Sequence, residues 1–205
     1  MKNQIPIALI YIRLALGPLL IILSVLQIEN YKWIAILVLT VGLLTDIFDG
    51  IVARKLDIST QTMRRLDSNV DQVFFIAVAV ATYIQCPQFF KSNSWFLGIL
   101  IGFECLTYLV SFLKFKKEIA THSIGAKIWT LFLFATPLQI ILQCQSVVLF
   151  YFCFWIGLIT RLEIIAIVLI LKKWTNDVPT FVHALQLRAG QEIKRNKFFN
   201  GATFK

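Results

Sequence analysis

Residues 33–54 read WIAILVLTVGLLTDIFDGIVAR. The block is apolar for long enough to cross a bilayer as a helix, which takes about 20 residues. Its last third then carries two aspartates, Asp46 and Asp49, followed by Gly50, Ala53 and Arg54. A few residues on, the chain returns with Asp67-Ser68-Asn69-Val70-Asp71 at the head of another apolar block. A charge inside a membrane span is costly and marks function. These two segments therefore set both the fold and the site.

Working outward, the same block pattern repeats along all 205 residues, of which 58% are hydrophobic and only 15% charged. A soluble domain of this size could not bury so much apolar surface. The blocks are continuous instead of alternating, which argues against an outer-membrane barrel. The fold expected is all-α: a polytopic membrane protein with six spans at roughly 5–27, 33–54, 66–85, 95–113, 124–143 and 147–171. Pro18 and Pro137 lie inside spans, where membrane helices tolerate them. Residues 1–171 form the expected transmembrane catalytic domain, and 172–205 a basic cytoplasmic or interfacial tail.

The net charge of +9 comes from 20 Lys and Arg against 11 Asp and Glu. The basic residues sit in the connections, so they report orientation in the membrane and not nucleic-acid binding. Lys2, Arg54, Lys55, Arg64, Arg65, Lys114, Lys116 and Lys117, with the basic tail, fall on one side. Only Lys32 and Lys91 fall on the other. That asymmetry places both termini in the cytoplasm. The tail spaces Phe181, Val182, Leu185, Ile193, Phe198 and Phe199 among its charges, which fits either an interfacial helix on anionic lipid or a loosely ordered solvated tail. Cys86, Cys105, Cys144 and Cys153 make no C-x-x-C pair and read as packing residues. The first span carries Arg13 and no cleavage site, so it reads as a membrane helix and not a removed signal peptide. A bacterial inner membrane, with the site facing the cytoplasm, is the expected location.

The charges inside the spans are Arg13, Asp46, Asp49, Asp67, Asp71, Glu104, Arg161 and Glu163. At the helical rise, Arg13 and Asp46 lie about 12 Å from the cytoplasmic end and Arg161 about 15 Å. All fall in the cytoplasmic half, the pattern of a cavity open to one side. Asp46 and Asp49 lie about 60° apart on their helix, and Asp67 and Asp71 about 40° apart on the next, antiparallel one. The two pairs meet at similar depth. Four carboxylates in a half-dry site repel one another unless cations join them. All-oxygen ligands suit hard divalent ions, and two such ions are the recurring device of phosphoryl chemistry. Ion pairs that merely fix helix packing would account for Arg13 with Glu104, or Arg161 with a carboxylate, but leave the aspartates unexplained.

The spacing of Asp46, Asp49, Gly50, Ala53, Arg54, Asp67 and Asp71 resembles the signature of the CDP-alcohol phosphatidyltransferase family, D-x2-D-G-x2-A-R-x8-G-x3-D-x3-D. Arg13 followed by Pro18 agrees with it. Met63 stands where the family has a glycine. The resemblance implies transfer of a phosphatidyl group from CDP-diacylglycerol to a small polar alcohol, such as glycerol 3-phosphate, with release of CMP. It implies Mg²⁺ or Mn²⁺, two ions, on Asp46, Asp49, Asp67 and Asp71, with Asp71 as general base. It implies Gly50, Ala53 and Arg54 along the nucleotide, membrane lipids as surroundings, and a homodimer. For the acceptor's phosphate the sequence offers Lys114, Lys117, His122, Ser123, Lys127 and Arg161. Two other readings compete: an ion or proton transporter using the same carboxylates, and a non-catalytic family member, for which Met63 is the motive.

Overall fold

A computed structural model describes residues 5–55, 60–117, 123–175, 178–191 and 193, with Arg54, Lys55, Gln61 and Arg64 described in backbone only. The regular structure of the described residues is all helical: α1 (Ile5–Val25), α2 (Tyr31–Lys55), α3 (Gln61–Gln85), α4 (Pro87–Ser92), α5 (Ser94–Phe115), α6 (Ile124–Gln143), α7 (Val148–Ile170) and α8 (Phe181–Arg188). No strand occurs among them. Five helices, α1, α2, α5, α6 and α7, are long and apolar enough to cross a membrane, which makes this a multi-pass membrane protein. The sixth expected span, α3, has 25 residues. It fails the same measure of apolarity because its first turns hold Arg64, Arg65, Asp67 and Asp71.

Two compact units make up the chain. The first contains residues 1–92 and 133–146. Its α1 packs against α2 and α3 through a stripe of buried residues: Pro6, Ile10, Arg13, Gly17, Leu20 and Ser24. Their spacing alternates between three and four, the period of one helix face. Leu20 joins Tyr31, Ala35, Val38, Leu39, Phe74, Val78, Ala81 and Ile141 in a continuous apolar core. Two glycines permit this packing. A β-carbon on Gly17 would come within 3.1 Å of the Ala77 β-carbon, and one on Gly42 would strike the Phe74 ring.

The start of α3 is set by Thr60, whose hydroxyl accepts the Met63 N–H at 3.1 Å. Such a cap satisfies a donor that the first helical turn leaves unpaired. It moves the helix start upstream of the expected residue 66. At the other end of α3, Gln85 donates to the Ser24 carbonyl at 2.9 Å. There Cys86 forms a disulfide with Cys144, with Cα atoms 5.3 Å apart. This corrects the reading of all four cysteines as packing residues. Cys105 and Cys153 are free.

The second unit contains residues 93–132 and 147–205. Here α5 packs against α7, and α8 against α7. Phe96 meets Phe150, Tyr151 and Phe154 edge to face. Ile167, Leu171, Val178 and Ala184 close a small core over which α8 folds back. Arg188 donates to the Ile170 carbonyl at 3.2 Å, satisfying an orphan acceptor at the end of α7. Phe181, Val182 and Leu185 are left exposed on α8. Phe198 and Phe199 of the expected tail helix lie outside the described residues.

Candidate active site

The aspartates of α2 and α3 are brought together within the first unit. Carboxylate oxygens of Asp46, Asp49 and Asp67 lie within 4.8 Å of one another. Each pair repeats at helical spacing on its own helix, and the α1 stripe supplies the surface on which the two helices meet. Asp49 forms the floor, with its side chain 4% exposed, while Asp46, Asp67 and Asp71 are each about a third exposed.

The sequence left the partner of these aspartates open. It is Arg13, on α1. Its Nη1 lies 3.2 Å from Asp46 Oδ1 and 3.0 Å from Asp67 Oδ1, and also meets Asp71 Oδ1. Its Nη2 donates to Asp49 Oδ2. The guanidinium is 1% exposed. The planar fork of an arginine can serve several carboxylates at once, which an ammonium cannot do in a fixed geometry. The sequence signal was available: Arg13 stands in register with Ile10 and Gly17 on the stripe that buries α1.

The donor set suits hard divalent cations. It is all oxygen, three of its ligand atoms converge within a few ångström, and the four carboxylates outnumber Arg13 by three charges. Of the expected nucleotide residues, Ala53 is buried and Gly50 half-buried on the same helix as Asp46 and Asp49. The Arg54 side chain lies outside the described residues.

The acceptor candidates belong to the second unit, and their surroundings differ. Lys114 donates its Nζ to the Leu169 carbonyl at 2.6 Å, and Lys117 stands 4.9 Å over the Trp174 ring. Both are engaged near the carbonyl end of α7. Lys127 lies on the first turn of α6. His122 lies outside the described residues, and the buried Ser123 hydroxyl accepts the Ala126 N–H at 3.1 Å.

Arg161 is the most elaborated of them. Its Nε pairs with Glu104 of α5, and its guanidinium stacks 4.5 Å from the Trp129 ring centroid. Trp129 is fixed in turn by donating Nε1–H to the Cys153 carbonyl at 3.0 Å. Gly157 makes room for that indole: a β-carbon there would fall 2.9 Å from Trp129 Cε2. Thr160 and Glu163 converge on Gly125 at the start of α6, 3.0 and 3.1 Å from where its β-carbon would stand. Thr160 and Trp129 escaped the sequence reading because neither carries a charge.

The sequence pattern of the CDP-alcohol phosphatidyltransferase family matches residues 3–175, and the chain belongs to that family. It is a membrane-embedded transferase of phospholipid synthesis. Among curated proteins it is similar to the CDP-diacylglycerol–glycerol-3-phosphate 3-phosphatidyltransferase of Aquifex aeolicus (strain VF5), with 32% identity over 177 residues, 84% of this chain and 93% of the relative. No solved structure matches the chain.

Proposed function

We propose that this enzyme transfers the phosphatidyl group of CDP-diacylglycerol to glycerol 3-phosphate and releases CMP. The observation that carries the reading is the convergence of four aspartates from α2 and α3 on one face. The family membership and the name of the Aquifex relative support donor and acceptor.

Asp46, Asp49, Asp67 and Asp71 would hold two divalent cations, Mg²⁺ or Mn²⁺. When bound, such ions neutralise the pyrophosphate and stabilise the leaving oxygen of CMP. Asp71, about a third exposed and so reachable from outside the cluster, accepts the proton of the attacking hydroxyl, the role the family resemblance implies for it. Gly50 and Ala53 let the nucleotide approach the α2 backbone, and Arg54 binds its phosphate. Arg161 receives the acceptor's phosphate, with Lys114, Lys117 and Lys127 adding attraction.

All six long helices span the membrane, α3 with its polar first turns in the site. The termini and the aspartates face the cytoplasm, in keeping with the distribution of Lys and Arg. The diacylglycerol tails remain in the bilayer, where lipids cover the apolar surface. In this reading residues 1–171 are the catalytic domain, α8 and the residues after it lie at the membrane interface, and two copies form a homodimer in a bacterial inner membrane.

The test is CMP release by the purified protein with CDP-diacylglycerol and Mg²⁺ or Mn²⁺. Glycerol 3-phosphate, serine, inositol phosphate and glycerol are compared as acceptors. Release that depends on glycerol 3-phosphate is expected. Release with another acceptor alone overturns the assignment of the acceptor, and none with any acceptor overturns the catalytic reading.

A further inference from the structure

The oxygens that would ligate the cations are in the grip of Arg13. One guanidinium spans Asp46 Oδ1, Asp49 Oδ2, Asp67 Oδ1 and Asp71 Oδ1. A lone pair aimed at an N–H is not free for direct coordination. A cation among these oxygens also stands within a few ångström of a fixed positive charge. That charge is permanent, because arginine does not lose its proton in proteins. It is held in place by the buried stripe of α1.

We propose that Arg13 is a built-in counter-charge of the metal site, competing with divalent cations for the carboxylates and keeping the loaded site positive so that it attracts the anionic donor. This rests on the metal reading given above. The charge balance is simple. Four aspartates and Arg13 sum to −3, and two divalent ions bring the total to +1. Without Arg13 the same loaded site is neutral. The positive remainder faces the negative charges of a nucleoside diphosphate. Arg13 thus lowers metal affinity and raises affinity for the donor, a trade that a purely structural ion pair would not make. It is an electrostatic positioning residue, not a catalytic one.

The test uses the full chain in detergent. Free Mn²⁺ is followed by electron paramagnetic resonance during titration, and CDP binding is then measured at saturating Mn²⁺. Arg13→Gln is expected to bind Mn²⁺ at least about tenfold more tightly and CDP about tenfold more weakly. Arg13→Lys keeps the charge but loses the fork. It should bind Mn²⁺ a few fold more tightly than the wild type and CDP about as well. Unchanged or weaker Mn²⁺ binding in Arg13→Gln overturns the proposal. If that variant does not fold, Arg13→Lys decides, and Mn²⁺ binding no tighter than wild type is the overturning result. Failure of the metal reading itself looks different: wild type and Asp67→Asn would then be alike in binding no Mn²⁺.

Discussion

The ring of Phe74 on α3 occupies the space a side chain at Gly42 of α2 would need: a β-carbon there would fall 2.8 Å from Phe74 Cε1. Phe74 lies three residues after Asp71, and Gly42 four before Asp46, so this contact is one turn away from the carboxylates on each helix. Gly42→Ala must displace the buried Phe74 ring, and with it the spacing of the two helices. A loss of about 1–3 kcal/mol is expected from such overpacking. Weaker Mn²⁺ binding should accompany it as the aspartate pairs separate. Thermal unfolding and Mn²⁺ titration measure both, and adding Phe74→Leu should restore them together. Recovery of stability without recovery of metal binding would break the link drawn between packing and site.

Asp67→Asn and Asp71→Asn should each lower CMP release at least about a hundredfold. Their folds should persist, because Arg13 keeps its remaining carboxylates in either variant. Turnover and melting temperature on the same preparations check this. A collapse in stability that matches the loss of turnover would mean the aspartates act only through folding.

The Cys86–Cys144 bridge closes a separation of 58 residues. Cys86→Ser, or reduction, should cost roughly 2–4 kcal/mol. The bridge stands at the end of α3 away from Asp67 and Asp71, and disulfides persist in oxidising compartments. If the aspartates face the cytoplasm, as proposed, the pair lies on the outer side. In intact cells, a membrane-impermeant reductant and maleimide should then label both cysteines. Labelling only after permeabilisation would reverse the orientation.

Arg161→Lys should raise KM for glycerol 3-phosphate about tenfold, since an ammonium cannot both stack on Trp129 and pair with Glu104 in the same plane. The KM for CDP-diacylglycerol should move much less. Initial rates with each substrate varied in turn separate the two. Equal rises would move Arg161 out of the acceptor site.

Much of the fold was legible because apolar blocks and polar breaks alternate on the scale of a bilayer. The expected 124–143 is α6 itself, and α1, α2, α5 and α7 fall within a few residues of expectation. The start of α3 was missed because a threonine cap outweighs the polar character of the turn that follows. The six residues of α4 sat inside what read as a break. At the site, helical spacing suffices to pair Asp46 with Asp49 and Asp67 with Asp71. It says nothing about Arg13, whose four carboxylate partners lie 33 to 58 residues away. Glu104 was open to either arginine and pairs with Arg161. The disulfide was illegible for the same reason: two cysteines without a motif do not declare their distance in space.

The bridge between Cys86 and Cys144 also turns the chain between them into a covalent ring. All of α4, α5 and α6 lies inside it. A protease that cuts any single peptide bond from 87 to 143 opens the ring without dividing the molecule. Limited digestion there would leave one band on a gel without reductant and two with it. Ribosomal synthesis runs the same logic forward. Cys86 is made long before Cys144, so the ring closes only once α6 has delivered its end to the side where Cys86 waits.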